Sequence, residues 1–231
     1  MRSRLLLLFL VITFSGEAQT QAKVFTVGIF AGGLASDVAL FDFVDHDNDF
    51  YKAGLTGGSF VNAKISDKNS FQFEMAYVQK GTYTGKADSA NNYTYYHLAL
   101  DYIEVPVLFR HTMHLHIHAK ESDHFSFMIG PYFGALVRKK EEGNYYQDGL
   151  YVDGLFPDDD FKKADFGLMT GVSYNFLKNF YFDVRYSNSL TRVTRSNAVS
   201  NQFIIYSFNQ GHNMVFDFTL RYLFGKKPES E

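Results

Sequence analysis

An all-β fold, an eight-stranded antiparallel up-and-down transmembrane β-barrel preceded by a signal peptide, is what this sequence predicts, and three observations predict it. The first is alternation. In NMVFDFTLRYLF, the even positions Met214, Phe216, Phe218, Leu220, Tyr222 and Phe224 are large and apolar, while Asp217, Thr219 and Arg221 hold odd ones. Successive side chains of a strand point to opposite faces, so this stretch has one greasy face and one charged face. The second is length: a strand of this size exceeds the usual ~5 to 6 residues and suits a tilted bilayer crossing. The third is composition, with 25 Phe and 16 Tyr, no Trp, and a slightly negative mean hydropathy. No run beyond the N-terminus approaches the ~18 apolar residues of a spanning helix. Alternation accounts for both features, because half of each strand meets lipid and half does not.

The N-terminus, MRSRLLLLFLVITFSGEA, sets Arg2 and Arg4 before an apolar run from Leu5 to Phe14, with small residues at Gly16 and Ala18. That is the layout of a secretory signal peptide over residues 1–18, with cleavage as late as residue 22 as the other position. Residues 23–225 then read as one barrel domain and 226–231 as a short charged tail. Removing residues 1–18 takes away two arginines and one glutamate, so the formal charge moves from −3 to −4. Mild acidity argues against nucleic acid as a partner. The chain has no cysteine, which excludes disulfides, thiolate catalysis and Cys-ligated metal and argues against a lipid-anchored lipoprotein.

In order, the first strand covers Lys23 to Gly33, with Phe25, Val27, Ile29 and Ala31 on one side. Residues from Asp37 to Asn48 read as a loop. The second, Tyr51 to Ile65, is weakened by GLTGGS, whose glycines indicate a bend or the close approach of a neighbour. Asp67, Lys68 and Asn69 make a tight turn. The third, Phe71 to Tyr83, sets Phe71, Phe73, Met75 and Tyr77 against Gln72, Glu74 and Lys80. After a loop from Gly85 to Asn92, the fourth strand changes phase: Leu98, Leu100 and Tyr102 share one parity, and Ile103, Val105, Val107 and Phe109 the other. A phase change predicts a β-bulge near Tyr102 and Ile103. The fifth strand, Phe125 to Arg138, sets Phe125, Phe127, Ile129 and Phe133 against Ser126, Gly130, Gly134 and Arg138. Pro106 and Pro131 cannot donate to a ladder, so bulges are expected there as well. Glu141 to Lys162 reads as a solvated loop. The sixth and seventh strands, Asp165 to Phe176 and Phe180 to Thr191, turn at Lys178 and Asn179, and a loop from Arg195 to His212 precedes the closing strand.

The ions on the polar faces are Glu74, Glu104, Asp165, Asp183 and Asp217 against Lys80, Arg110, Arg138, Arg185 and Arg221. Balanced signs are expected of an enclosed lumen, where an unpaired charge is costly. Water would screen each charge separately on a solvated exterior. The ions therefore belong inside and the phenylalanines outside, and the narrow lumen of eight strands is filled by side chains. His111 to His124 is too long for a tight turn, so the strands are expected to extend beyond the membrane there.

Four segments carry a family resemblance: LDYIEVPVLFR (Leu100 to Arg110), IGPYFGALV (Ile129 to Val137), ADFGLMTGVSY (Ala164 to Tyr174) and YFDVRYSNSLT (Tyr181 to Thr191). In these the chain resembles the PorT-like outer-membrane β-barrel family, within the porin-family barrel domains. The resemblance implies an eight-stranded barrel in the outer membrane of a Gram-negative cell, built on motifs that carry no catalytic role. The family's namesake is an accessory of the type IX secretion and gliding apparatus. The histidine-bearing segment after the fourth strand and the tail beyond Phe224 depart from the family pattern.

Beyond the ionic set, HTMHLHIH would place His114, His116 and His118 on one face of an extended chain, a spacing that suits Zn or Cu, while a polar periplasmic ribbon explains the run equally well. DHDND, Asp45 to Asp49, resembles the start of a calcium loop, but Phe50 stands where glycine belongs and Thr56 where the closing glutamate belongs. It reads as a solvated outer loop. No G-x-S-x-G or H-E-x-x-H occurs, and no catalytic residue or cofactor is assigned. The resulting expectation is a non-enzymatic structural or interaction component. Its partners are membrane lipid, lipopolysaccharide and other envelope or secretion-system proteins. A narrow pore, a lipid- or lipopolysaccharide-modifying barrel enzyme and a soluble lipocalin-like barrel are the competing readings. The last would invert the faces, apolar within and charged without.

Overall fold

The computed structural model describes residues 25–38, 52–87, 93–115, 123–147, 150–153, 161–195 and 211–224. Through them run β1 (Phe25–Val38), β2 (Lys52–Lys64), β3 (Asn69–Ala87), β4 (Tyr93–Leu115), β5 (Asp123–Gln147), β6 (Leu150–Asp153), β7 (Ala164–Leu177), β8 (Phe180–Ser189) and β9 (Asn213–Phe224). All but β6 close into an eight-stranded barrel in the order β1-β2-β3-β4-β5-β7-β8-β9, with every neighbour antiparallel. The ring shuts where β9 pairs with β1, from Val27 opposite Phe224 to Val38 opposite Asn213. Closure removes the unpaired edges that an open sheet would expose to hydrocarbon.

All eight strands expected from alternation are present, and several run further than alternation indicated. β1 continues to Val38 and β3 to Ala87, into stretches that read as loop. The supposed loop from Glu141 to Lys162 begins as ladder: β5 reaches Gln147, and β6 pairs back on it from Asn144 opposite Asp153 to Gln147 opposite Leu150. Above the membrane both faces of a sheet meet water, so its hydrogen bonds no longer require greasy alternation. β4 and β5 are 23 and 25 residues long, against the ~9 to 11 that a crossing needs. They overshoot at the other end too, reaching Leu115 and resuming at Asp123, as expected.

Tight connections lie at that same end. Between β2 and β3, the Ile65 and Ser66 amides donate to the Asn69 carbonyl at 2.9 and 3.0 Å. β7 and β8 are joined through Lys178 and Asn179. Asn175 Nδ2 straps that turn by donating to the carbonyls of Leu177 and Phe180 at 2.6 and 2.9 Å. Short turns mark the periplasmic end of such a barrel and longer connections the outer end.

The bulge falls at the expected height, between Asp101 and Tyr102, but its extra residue is on the partner strand. On β4, Leu98, Leu100, Tyr102, Glu104, Leu108 and Arg110 are all buried and share one parity, so that strand never changes face. The irregularity is on β5: Asp101 opposes Arg138 and Tyr102 opposes Leu136, which leaves Val137 as the extra residue. Both prolines are accommodated without a bulge. The β3–β4 ladder is interrupted beside Pro106 and the β4–β5 ladder beside Pro131, but each resumes in the same register. A missing donor costs one ladder bond and leaves the phase intact.

The two faces separate as a membrane requires. Phe25, Phe73, Phe133, Phe166, Phe182, Phe216, Phe218 and Leu220 are exposed on the outer surface. Their neighbours at alternate positions fill the interior. Among the described strand residues, Phe30, Phe60, Tyr102 and Tyr132 carry rings buried within the barrel, so the phenylalanines are not all outside.

Candidate functional site

The lumen is where the chain concentrates its chemistry, in two ionic clusters stacked along the axis. Toward the periplasmic end, Glu74 of β3 accepts from Arg185 of β8 at 2.8 Å and from Arg221 of β9 at 3.1 Å. Arg185 also binds Asp217 at 2.7 Å, and Arg221 binds Asp183 at 2.5 Å. Gln72 joins them: its amide donates to Glu74, and its carbonyl accepts from Arg221 and, at 2.7 Å, from Arg110. Each of these ions sits on a strand position facing inward, so the barrel's parity brings residues from β3, β4, β8 and β9 to one place.

Nearer the outer end, Lys80 lies between two carboxylates, Glu104 at 2.5 Å and Asp165 at 3.1 Å. Glu104, Gly134 and Asp165 share one rung across β4, β5 and β7. A Cβ at position 134 would make ordinary contacts at 3.4 Å with the side chains of both acids. Asp165 is further held by the Tyr132 hydroxyl at 3.3 Å, Asn213 Nδ2 at 3.1 Å, Thr191 Oγ1 at 3.0 Å and Ser189 Oγ.

Rings pave the walls behind the cations. Lys80 lies 4.4 Å from the centre of the Tyr132 ring, Arg221 4.5 Å from Phe60 and Arg185 5.1 Å from Phe30. Such contacts are stronger where water is excluded, which accounts for the two inward phenylalanines. Over the outer end, Val38, Leu98, Leu100 and Tyr102 pack with Phe161 and Val193. The last two come from the segments before β7 and after β8, which are stitched together by a bridge from Phe161 to Thr194 and by Lys162 N donating to Val193 O at 2.8 Å. The inward apolar residues of β4 thus belong to a cap, and their parity signalled a change of neighbours.

Nine of the ten ions expected inside are there: Glu74, Lys80, Glu104, Arg110, Asp165, Asp183, Arg185, Asp217 and Arg221 are all buried. Arg138 is the correction. The bulge at Val137 turns it outward, where its side chain is 63% exposed and lies 3.6 Å from Asp101. Asp101 itself is covered from outside by the Tyr77 hydroxyl at 2.6 Å. With Arg138 outside, that set holds five carboxylates against four bases, so the balance read from the sequence is not met by its own members. Lys139 and Glu141, one step on, take the inner side and lie 3.8 Å apart. Sequence reasoning did not single out Gln72, Tyr132, Ser189, Thr191 or Asn213 as members. Parity alone would have found Gln72, two residues from Glu74.

His114 lies at the end of β4, whereas His116, His118 and the Asp45–Asp49 stretch lie outside the described residues. Among the described residues, no group of three or more His, Asp or Glu gathers in a way that could hold a metal. No helix among them is long and apolar enough to cross a membrane.

A closed antiparallel barrel with rings outside and interlocked ions inside defines the class: a β-barrel that crosses a membrane on its strands. The chain belongs to the outer membrane protein beta-barrel domain family, whose model matches residues 17–195. Its place is therefore the outer membrane. Among solved structures, it is similar to Neisserial surface protein A, with 12% identity and a TM-score of 0.40 over 87% of this chain and 98% of that one. It is similar to Ail, the attachment invasion locus protein of Yersinia pestis, with 12% identity and a TM-score of 0.40 over 86% and 98%. OprG from Pseudomonas aeruginosa shares 9% identity, with a TM-score of 0.40 over 87% and 95%. No curated protein matches the sequence.

Proposed function

We propose that this chain is a closed, non-enzymatic barrel of the outer membrane, exported on a cleaved signal peptide, which acts as a structural or interaction component through its ends. One observation carries the reading: the lumen is occupied by hydrogen-bonded ions and capped by apolar side chains, with Arg221, Tyr102, Tyr132 and Lys80 among the largest fully buried groups. Diffusing solutes would have to break buried ion pairs, at ~3 to 5 kcal/mol for each pair broken.

The four segments similar to the PorT-like family favour membership of an envelope assembly of the secretion or gliding type. Lipid and lipopolysaccharide would surround the wall. Planar-bilayer recording of the purified protein tests the closed reading. A silent trace is expected, and steady single-channel steps would favour a narrow pore instead. Affinity capture of the detergent-solubilised protein with its neighbours tests the assembly reading, with recovery of the chain alone counting against it. Unchanged lipid and lipopolysaccharide profiles after gene deletion are expected, and an altered profile would favour a modifying enzyme.

A further inference from the structure

We infer that the outer rim of the barrel over β5, β7 and β8 binds a phosphate group of the lipopolysaccharide beside it. Bases crowd that arc: Arg138 and Lys140 on β5, Lys162 and Lys163 just before β7, and Arg192 and Arg195 just after β8. Backbone hydrogen bonds set the three groups side by side. Leu136 N donates to Lys163 O and Lys162 N to Val193 O, each at 2.8 Å, so the two lysines stand between the strand of Arg138 and the segment of Arg192. The Arg138 and Lys140 side chains are 63% and 53% exposed, and Lys163, Arg192 and Arg195 are exposed as well.

Among the described residues, the acids of this arc leave most of that charge standing. Glu142 is committed to Lys140 at 2.5 Å, and Glu141 turns inward with Lys139. Asp165 and Asp101 are buried, and Asp101 holds Arg138 only loosely, at 3.6 Å. A guanidinium carries five N–H donors, so that pair leaves Arg138 able to grip a phosphate in the bidentate manner. On the other side of the rim, β1 and β2 carry Asp37 and Lys52, one ion of each sign. Height points to the kind of ligand. Val137, Phe166 and Leu190, one to three residues from Arg138, Lys163 and Arg192 along the chain, are exposed apolar side chains of the wall. At ~3.3 Å of rise per residue, these bases begin within ~10 Å of hydrocarbon, at the depth of lipid headgroups, which long basic side chains reach by snorkelling. Lipopolysaccharide meets this end because the short turns lie at the other one, a placement that rests on the outer-membrane reading proposed above.

The test is native mass spectrometry of the full chain folded in nonionic detergent micelles, with lipid A added in its bisphosphorylated or its dephosphorylated form and divalent ions chelated. Expected are saturable retention of the bisphosphorylated form, weaker retention of the dephosphorylated one, and affinity lower by about tenfold or more in the Arg138→Ala, Lys163→Ala double variant. Lys178→Ala, at the periplasmic turn, should bind as the parent does. Heat-modifiable electrophoretic mobility checks that each variant is folded, and Arg138→Gln with Lys163→Gln replaces the double variant if it is not. Equal retention of the two forms overturns the inference, as does binding undiminished in the double variant. Binding lost on chelation would assign the contact to carboxylates bridged by a cation, and saturation by inorganic phosphate at the same concentration would assign it to free phosphate; either result overturns the inference too. Recovery of the protein from the soluble periplasm would defeat the outer-membrane reading itself, whereas a membrane-inserted barrel indifferent to the phosphates defeats this inference alone.

Discussion

At the scale of single residues, position within the wall decides what a charge is worth. Glu74 holds both Arg185 and Arg221 in a space from which water is excluded. Glu74→Ala would leave two buried guanidiniums short of their shared partner and should destabilise the barrel by ~3 to 5 kcal/mol. The measurement is the urea midpoint of unfolding from lipid vesicles. Arg138→Ala is the contrasting case, since its side chain is exposed and its ion pair loose. It should shift the same midpoint by less than ~1 kcal/mol. From the sequence these two residues looked alike, because parity was counted across Val137 without a break. Nothing in GALVRKKEE marks the extra residue: Leu136 and Val137 are both apolar, and five charges follow. The nine ions that were legible lie on strands whose alternation continues past them.

At the scale of elements, the bulge on β5 and the close packing of inward rings do the positioning. Above Val137 the strand exchanges its faces, so Arg138 points out while Lys139 turns in, 4.7 Å from the Phe161 ring. The native chain has no cysteine, so single substitutions report orientation without background. Arg138→Cys should react with a membrane-impermeant maleimide on intact cells, and Lys139→Cys should be protected. Deleting Val137 should leave that pattern in place, because Leu136 already opposes Tyr102 and Arg138 already opposes Asp101. Gly167 shows the other device, since a Cβ there would stand 2.5 Å from the Tyr132 ring and 2.2 Å from the Asn188 carbonyl oxygen. Gly167→Ala should cost ~1 to 3 kcal/mol through overpacking, read as a lowered unfolding midpoint. The strands themselves were legible because alternation survives wherever one side is hydrocarbon. The extensions of β1, β3 and β5 and the whole of β6 were not, because a water-facing sheet is free to carry any polar sequence. The apolar parity of Leu98, Leu100 and Tyr102 was visible but misassigned, since alternation records that two faces differ without recording whether lipid or a cap covers the apolar one.

At the scale of the whole molecule, one asymmetry organises the fold: hydrocarbon outside, paired charge within. β9 displays it in the least room, with Phe216, Phe218 and Leu220 exposed and Val215, Asp217, Thr219 and Arg221 buried. The inverted arrangement of a soluble lipocalin-like barrel would bury the first set and expose the second. The most direct test is a nitroxide scan along β9 in lipid vesicles, one spin label at a time from position 214 to 224, with collision rates measured for oxygen, which dissolves in lipid, and for a water-soluble nickel chelate. Oxygen accessibility should rise and fall with a period of two residues, high at 216, 218, 220 and 222 and low at 215, 217, 219 and 221. Maxima at the odd positions, or no period at all, would contradict the account.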